Sequence, residues 1–148
     1  MKVLFDTDVI LDLLLDREPH SQFAALLIAE VERGAVTGYL CATSITTIHY
    51  LAGKGVGASD AERSIRDLLS LFEIATVNRA VLEGALEAGF RDFEDAVSHE
   101  AALRAGAEAI VTRNLGDYRK SSLPVYSPRD CLALLMRQND DEEEARGI

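Results

Sequence analysis

Short apolar or β-branched runs alternate along this chain with longer stretches whose apolar residues recur at three and four. That is the pattern of a parallel sheet wrapped in helices. Five runs read as strands: Lys2 to Phe5, Val36 to Cys41, Glu73 to Val77, Ala109 to Thr112 and Pro124 to Tyr126. Between the first two, Val9 to Leu15 and His20 to Arg33 carry the helical period, with Pro19 near the second start and Gly34 past its end, so two helices precede strand two. Ser44 to Leu51 reads as a short buried helix, followed by a loop, Gly53-Lys54-Gly55-Val56-Gly57. Ser59-Asp60-Ala61-Glu62 is a capping box that opens a helix ending near Phe72. Asn78 is placed to cap a helix through Glu87 that Gly89 stops, Asp92 to cap one running to Gly106, and Ser127-Pro128 to open the last.

No repeat or shift in composition divides the 148 residues, so one α/β sandwich is expected over residues 1–138, followed by an acidic, frayed tail over 139–148. With 48% hydrophobic and 27% charged residues, disorder over the whole length is excluded. No charge-free apolar run approaches the roughly 18 residues of a membrane span, and MKVLFDTDV reaches an acid too early for a signal peptide. A cytoplasmic protein without membrane contact is expected, its Cys41 and Cys131 buried as free thiols. The net charge is -10, and five acids against Arg146 put -4 of that in the tail. The remaining excess argues against a polyanionic partner unless the acids converge, because clustered carboxylates repel and need a cation to hold them.

In open parallel sheets, function collects beyond the carboxyl ends of the strands. Here strand one ends in Asp6-Thr7-Asp8, strand two in Thr43-Ser44, and strand four in Thr112-Arg113-Asn114 with Asp117 three residues on, while Asp92-Phe93-Glu94-Asp95 opens the preceding helix. Hard divalent cations take oxygen ligands, and Asp6, Asp95 and Asp117 brought together supply such a cage for Mg²⁺. Each acid also has a plain structural use: Asp8 and Asn114 can cap helices, and Asp95 and Asp117 stand where a helix start favours acids. Thr112 and Asn114 can hydrogen-bond a ligand carboxylate or a phosphate oxygen. Arg17, Arg113, Arg119 and Lys120 form a local basic rim suited to a phosphate backbone.

The order Val-Leu-Phe-Asp6-Thr-Asp8-Val-Ile-Leu-Asp, then Asp95-Ala-Val, then Ile-Val-Thr112-Arg-Asn114-Leu-Gly-Asp117-Tyr resembles the PIN domain, especially the small VapC-like toxin ribonucleases, over about Met1 to Met136. The resemblance implies a three-layer α/β/α sandwich and a Mg²⁺- or Mn²⁺-dependent endoribonuclease, the toxin of a toxin–antitoxin pair. It further implies an RNA substrate, an antitoxin partner and a homodimer, to which the apolar surplus of Ala24 to Val31 and Ser64 to Phe72 also points. Its catalytic acids map onto Asp6, Asp95 and Asp117.

Two positions depart from the family. Asp8 stands where it usually has Asn, and His49 aligns with its second acid, normally a Glu on the helix after strand two. A neutral imidazole cannot replace a carboxylate's charge on Mg²⁺, although it can ligate Mn²⁺ or position a water, and Glu94 can compensate if it turns inward. Two other readings follow. Asp6-Thr7-Asp8 with Thr43 or Ser44 also resembles haloacid-dehalogenase-type phosphatases, with Asp6 as nucleophile and Asp8 as acid/base. The missing Glu at position 49 motivates the other, a degenerate PIN domain that only binds RNA or protein.

Overall fold

β1 (Lys2–Phe5) occupies the middle of a five-stranded sheet ordered β3-β2-β1-β4-β5, in which every pairing is parallel. The computed structural model describes residues 1–147. The other strands are β2 (Thr37–Cys41), β3 (Glu73–Ala75), β4 (Ala109–Val111) and β5 (Val125–Tyr126). Seven helices lie among the described residues: α1 (Thr7–Leu14), α2 (His20–Glu32), α3 (Ala42–Val56), α4 (Ala58–Leu71), α5 (Arg79–Glu87), α6 (Phe93–Ala105) and α7 (Pro128–Ala145).

Because successive strand residues face opposite ways, the two-residue alternation sorts the core into two layers. Val3, Phe5, Leu40, Ala109 and Val111 pack with α1, α2, α3, α4 and α7 on one face. Leu4, Cys41, Ala75 and Ile110 pack with α5 and α6 on the other. This is the three-layer α/β/α sandwich. β1 is buried on both faces, as a central parallel strand must be, and the Phe5 ring meets Phe72 edge to face at 5.2 Å. Truncating Phe5 to Ala would cost about 3–5 kcal/mol. Both cysteines are buried and free.

The structure departs from the sequence reading between β2 and β3. α3 does not stop at Leu51 but runs through the glycines to Val56. These glycines serve close helix packing: a Cβ on Gly55 would overlap Leu15 of the turn after α1, and Gly53 lies against Ala61 of α4. Only Gly57 makes the turn, at φ +93, and α4 starts immediately after it with no side-chain cap, so Ser59 falls inside the first turn and the capping box does not form.

The chain's end departs too. α7 continues through Ala145, so the acidic run forms exposed helical turns in place of a frayed tail. Glu is a good helix former, and Arg146 pairs with Glu142 one turn back at 4.0 Å. Ile148 lies outside the described residues. Among the described residues no helix is long and apolar enough to cross a membrane.

Candidate active site

The chain leaves β1 toward β2 and β3 on one side and returns through β4 and β5 on the other. Between β1 and β4 the connections therefore diverge, and a crevice opens at the strands' carboxyl ends. Asp6 is the first residue past β1, still tied to the sheet by its N–H to the Val111 carbonyl at 2.9 Å. Its carboxylate caps α1, with Oδ1 accepting from the Thr7 N–H at 2.9 Å. Oδ2 accepts from the buried Thr112 hydroxyl at 2.8 Å.

The segment after β4 acts as a clamp. A hydroxyl has one proton to give, and Thr112 spends it on Asp6, since Asp8 Oδ2 is farther at 3.3 Å; in turn Oγ1 accepts from the Asn114 N–H at 3.0 Å. Asp8 Oδ2 accepts from the Arg113 N–H at 3.2 Å and from Asn114 Nδ2 at 3.1 Å, while its Oδ1 is buried with no partner. The Arg113 side chain turns away from this cavity and forks onto Asp12, Nε to Oδ2 at 2.6 Å and Nη2 to Oδ1 at 3.1 Å. Asp12 is 1% exposed, and Arg17 Nη1 stands 3.8 Å from its Oδ1.

From the other face of the sheet, α6 brings its first turn. Asp92 caps the helix by accepting from the Asp95 N–H at 3.0 Å, which leaves the Asp95 side chain free of capping work. Tyr118, buried at the end of the 3-10 turn Leu115–Tyr118, donates its hydroxyl to Asp95 Oδ1 at a long 3.5 Å, and Asp117 sits on the exposed side of the same turn. Asp6, Asp8, Asp92, Glu94, Asp95 and Asp117 line one open cavity of about 320 Å³.

Their ionisation carries the mark of this crowding. Burial raises Asp6 above the ordinary carboxylate range, hydrogen bonds from Thr112 and Thr7 and the nearby Tyr118 hydroxyl dipole oppose it, and the Asp117 charge adds to the rise. Asp8 is pushed up to about 6, first by burial and then by Asp6, against the Arg113 N–H and guanidinium. Asp95 is pushed up to about 7, first by burial and then by Asp6, Asp92, Asp117 and Glu94. Glu94 is raised by burial and by Asp92 and Asp6, with the Thr47 hydroxyl of α3 acting the other way. Burial and the same carboxylates drive Tyr118 far upward, so it stays protonated as a donor.

The acids expected to converge thus face one space, and Glu94 turns into it. His49 is exposed on α3 and is not among the residues lining the cavity. Of the basic residues, Arg17 lines the acidic cavity, Arg113 is engaged by Asp12, and Arg119 and Lys120 line an adjoining cavity. Sequence reading missed Asp12, Tyr118 and Thr47. For Asp12 a signal existed, because an acid amid Val9-Ile10-Leu11 and Leu13-Leu14 lies on a helix with little exposed surface and so requires a partner.

Among the described residues, no three His, Cys, Asp or Glu side chains stand ready to enclose an ion. The donors nevertheless suit a hard cation that keeps most of its waters: all are carboxylates on an open cavity, and Asp8 presents a buried oxygen without a partner.

No curated protein matches the chain. Among solved structures it is similar to VapBC2 from Rickettsia felis, bound to a DNA fragment from its promoter, with a TM-score of 0.65 at 16% identity, over 86% of this chain and 98% of that one. VapBC-1 from nontypeable Haemophilus influenzae gives 0.64 at 15% identity, over 87% and 99%. PAE2754 from Pyrobaculum aerophilum gives 0.60 at 20% identity, over 93% and 99%. At such identities these likenesses speak for the fold. The family itself follows from the sequence match: the PIN domain pattern covers residues 2–116, from the start of β1 into the turn that carries Asp117, and the chain belongs to the PIN domain family.

Proposed function

We propose that the protein is a divalent-metal-dependent endoribonuclease, the toxin of a toxin–antitoxin pair. The observation that carries this reading is the convergence of Asp6, Asp95 and Asp117, from three separated segments, on one open cavity, where the Asp117 charge adds to the raised proton affinity of Asp6 and the charges of Asp6 and Asp117 add to that of Asp95. Stability alone does not call for such repulsion, whereas a cation relieves it. Asp6, Asp95 and Asp117 would hold Mg²⁺ or Mn²⁺, with Asp8 and Glu94 as further oxygen donors. When bound, the cation supplies an acidified water and positive charge for a phosphodiester oxygen. The chain supplies orientation: Thr112 and Tyr118 direct hydrogen bonds at Asp6 and Asp95, the Asn114 amide holds Asp8, and Arg17 offers a guanidinium to a phosphate at the rim.

The solved neighbours named as VapBC support an antitoxin partner for this chain too. The exposed Phe23 and Leu26 of α2 and Leu69 of α4 support a homodimer; a monomeric sedimentation coefficient at micromolar concentration removes that part. The phosphatase alternative has little left to use: Ser44 is buried, and the Thr43 hydroxyl contacts Cys41 Sγ at 3.3 Å. Cleavage of an RNA pool with Mg²⁺ or Mn²⁺, abolished by chelator and by Asp6→Asn, is the expected result. RNA binding without metal-dependent cleavage would favour the degenerate, binding-only reading.

A further inference from the structure

Beside the acidic cavity lies a second, of about 310 Å³, lined by Phe90, Arg91, Asp117, Arg119 and Lys120. The two share Asp117, so they adjoin. Their charges are opposite. Arg91, Arg119 and Lys120 are exposed, and among the described residues none forms an ion pair, whereas Arg113 is forked onto Asp12 and Arg17 stands 3.8 Å from it. On a chain of net charge -10, three uncommitted cations around one concavity form a local exception. The cavity has a firm wall: the Phe90 ring packs edge to face on Tyr118 at 5.9 Å and against His99 at 4.9 Å, and Tyr118 also donates to Asp95. A phosphate held there has a fixed relation to the carboxylates.

We infer that this cavity is a subsite for the backbone phosphate of single-stranded RNA next to the phosphate being cut, with Arg91, Arg119 and Lys120 as its ligands. The inference rests on the ribonuclease reading above and adds to it a binding station and Arg91 as one of its ligands.

The test is fluorescence anisotropy of a labelled single-stranded oligoribonucleotide with the full chain in chelator, across 50 to 200 mM salt. Wild type is compared with the Arg91→Ala, Arg119→Ala, Lys120→Ala triple variant and with Arg137→Ala, an exposed α7 control. All the substituted side chains are exposed, and equal melting curves verify folding. Losing the one single-strand phosphate contact lowers the salt slope by about 0.7, so wild type should lose roughly 2.6-fold more affinity over this range than the triple variant. Arg137→Ala should follow wild type. An unchanged slope and affinity in the triple variant would overturn the subsite, and if wild type still cleaves RNA with Mg²⁺ or Mn²⁺ the ribonuclease reading stands without it. Displacement of RNA by a polyglutamate peptide at equal charge concentration would also overturn it, assigning the cavity to an acidic protein segment.

Discussion

Arg113→Ala should destabilise the protein by about 3 kcal/mol, far more than the loss of an exposed arginine. Asp12 is almost fully buried and takes two hydrogen bonds from the Arg113 guanidinium, and breaking such a pair typically costs about 3–5 kcal/mol, because the surviving charge has neither partner nor water. Arg17, 3.8 Å away and partly exposed, remains as a weak substitute, which puts the cost at the lower end of that range. Removing the other partner is gentler. With Asp12→Asn, both guanidiniums can move toward water, and the amide still offers an oxygen, so about 1–2 kcal/mol is expected. Replacing the pair together, Asp12→Leu with Arg113→Met, should recover most of the loss, since apolar isosteres of a buried pair are often neutral. Urea unfolding of the four proteins gives the three differences, and the Arg113→Ala midpoint in heat should fall by about 10 °C. A cost for Arg113→Ala below about 1 kcal/mol, or one smaller than that of Asp12→Asn, would refute the reasoning. It would return Arg113 to a surface role along RNA, where its loss weakens RNA binding and leaves stability alone.

The remaining predictions concern the carboxylates and the chain end. With chelator, Asp8 and Asp95 bind protons in the native state that the unfolded chain has released, so their contribution to stability is complete below about 4, near their ordinary value, and is lost as pH rises through about 6 to 7. Metal-free Asp95→Asn should therefore melt higher than wild type at pH 8 and gain less from millimolar Mn²⁺; equal gains with unchanged cleavage would reduce Asp95 to a helix-start acid. Glu94→Gln should lower cleavage at least tenfold while His49→Ala leaves it unchanged, and the reverse result would return the missing second acid to His49. Deleting residues 140–148 should shift the melting midpoint by under about 2 °C, because Leu135 is the last buried residue of α7, and a larger loss would show that the exposed turns dock.

The layer architecture was legible because burial on both faces leaves a plain mark: Val3-Leu4-Phe5 and Ala109-Ile110-Val111 are uninterrupted apolar runs bounded by polar residues. Where the reading failed, a residue's usual local meaning gave way to a tertiary demand. Gly53 and Gly55 signify a loop by propensity, yet small residues also let helices approach, and the neighbours that use the space, Ala61 and Leu15, are invisible to a local window. The capping box Ser59-Glu62 failed similarly, since the positive φ of Gly57 started α4 one position before its motif.

The site divides along the same line. Asp6, Asp8, Thr112, Asn114 and Asp117 could be placed at once, because each follows the end of β1 or β4, and the switch between those strands is a property of topology. Side-chain commitments could not be read this way. Arg113 and Asn114 are neighbours in the motif, yet one neutralises buried Asp12 and the other holds Asp8, a division that depends on which carboxylate each can reach. Charge counting is blind to this division for the same reason. The net charge of -10 argues against an RNA partner only if charge is spread evenly, whereas the fold gathers acids into one cavity and sets Arg91, Arg119 and Lys120 around the next. A polyanion approaching these cavities meets the local field within about 8 Å at physiological salt, so this segregation, and not the total, decides whether it can bind.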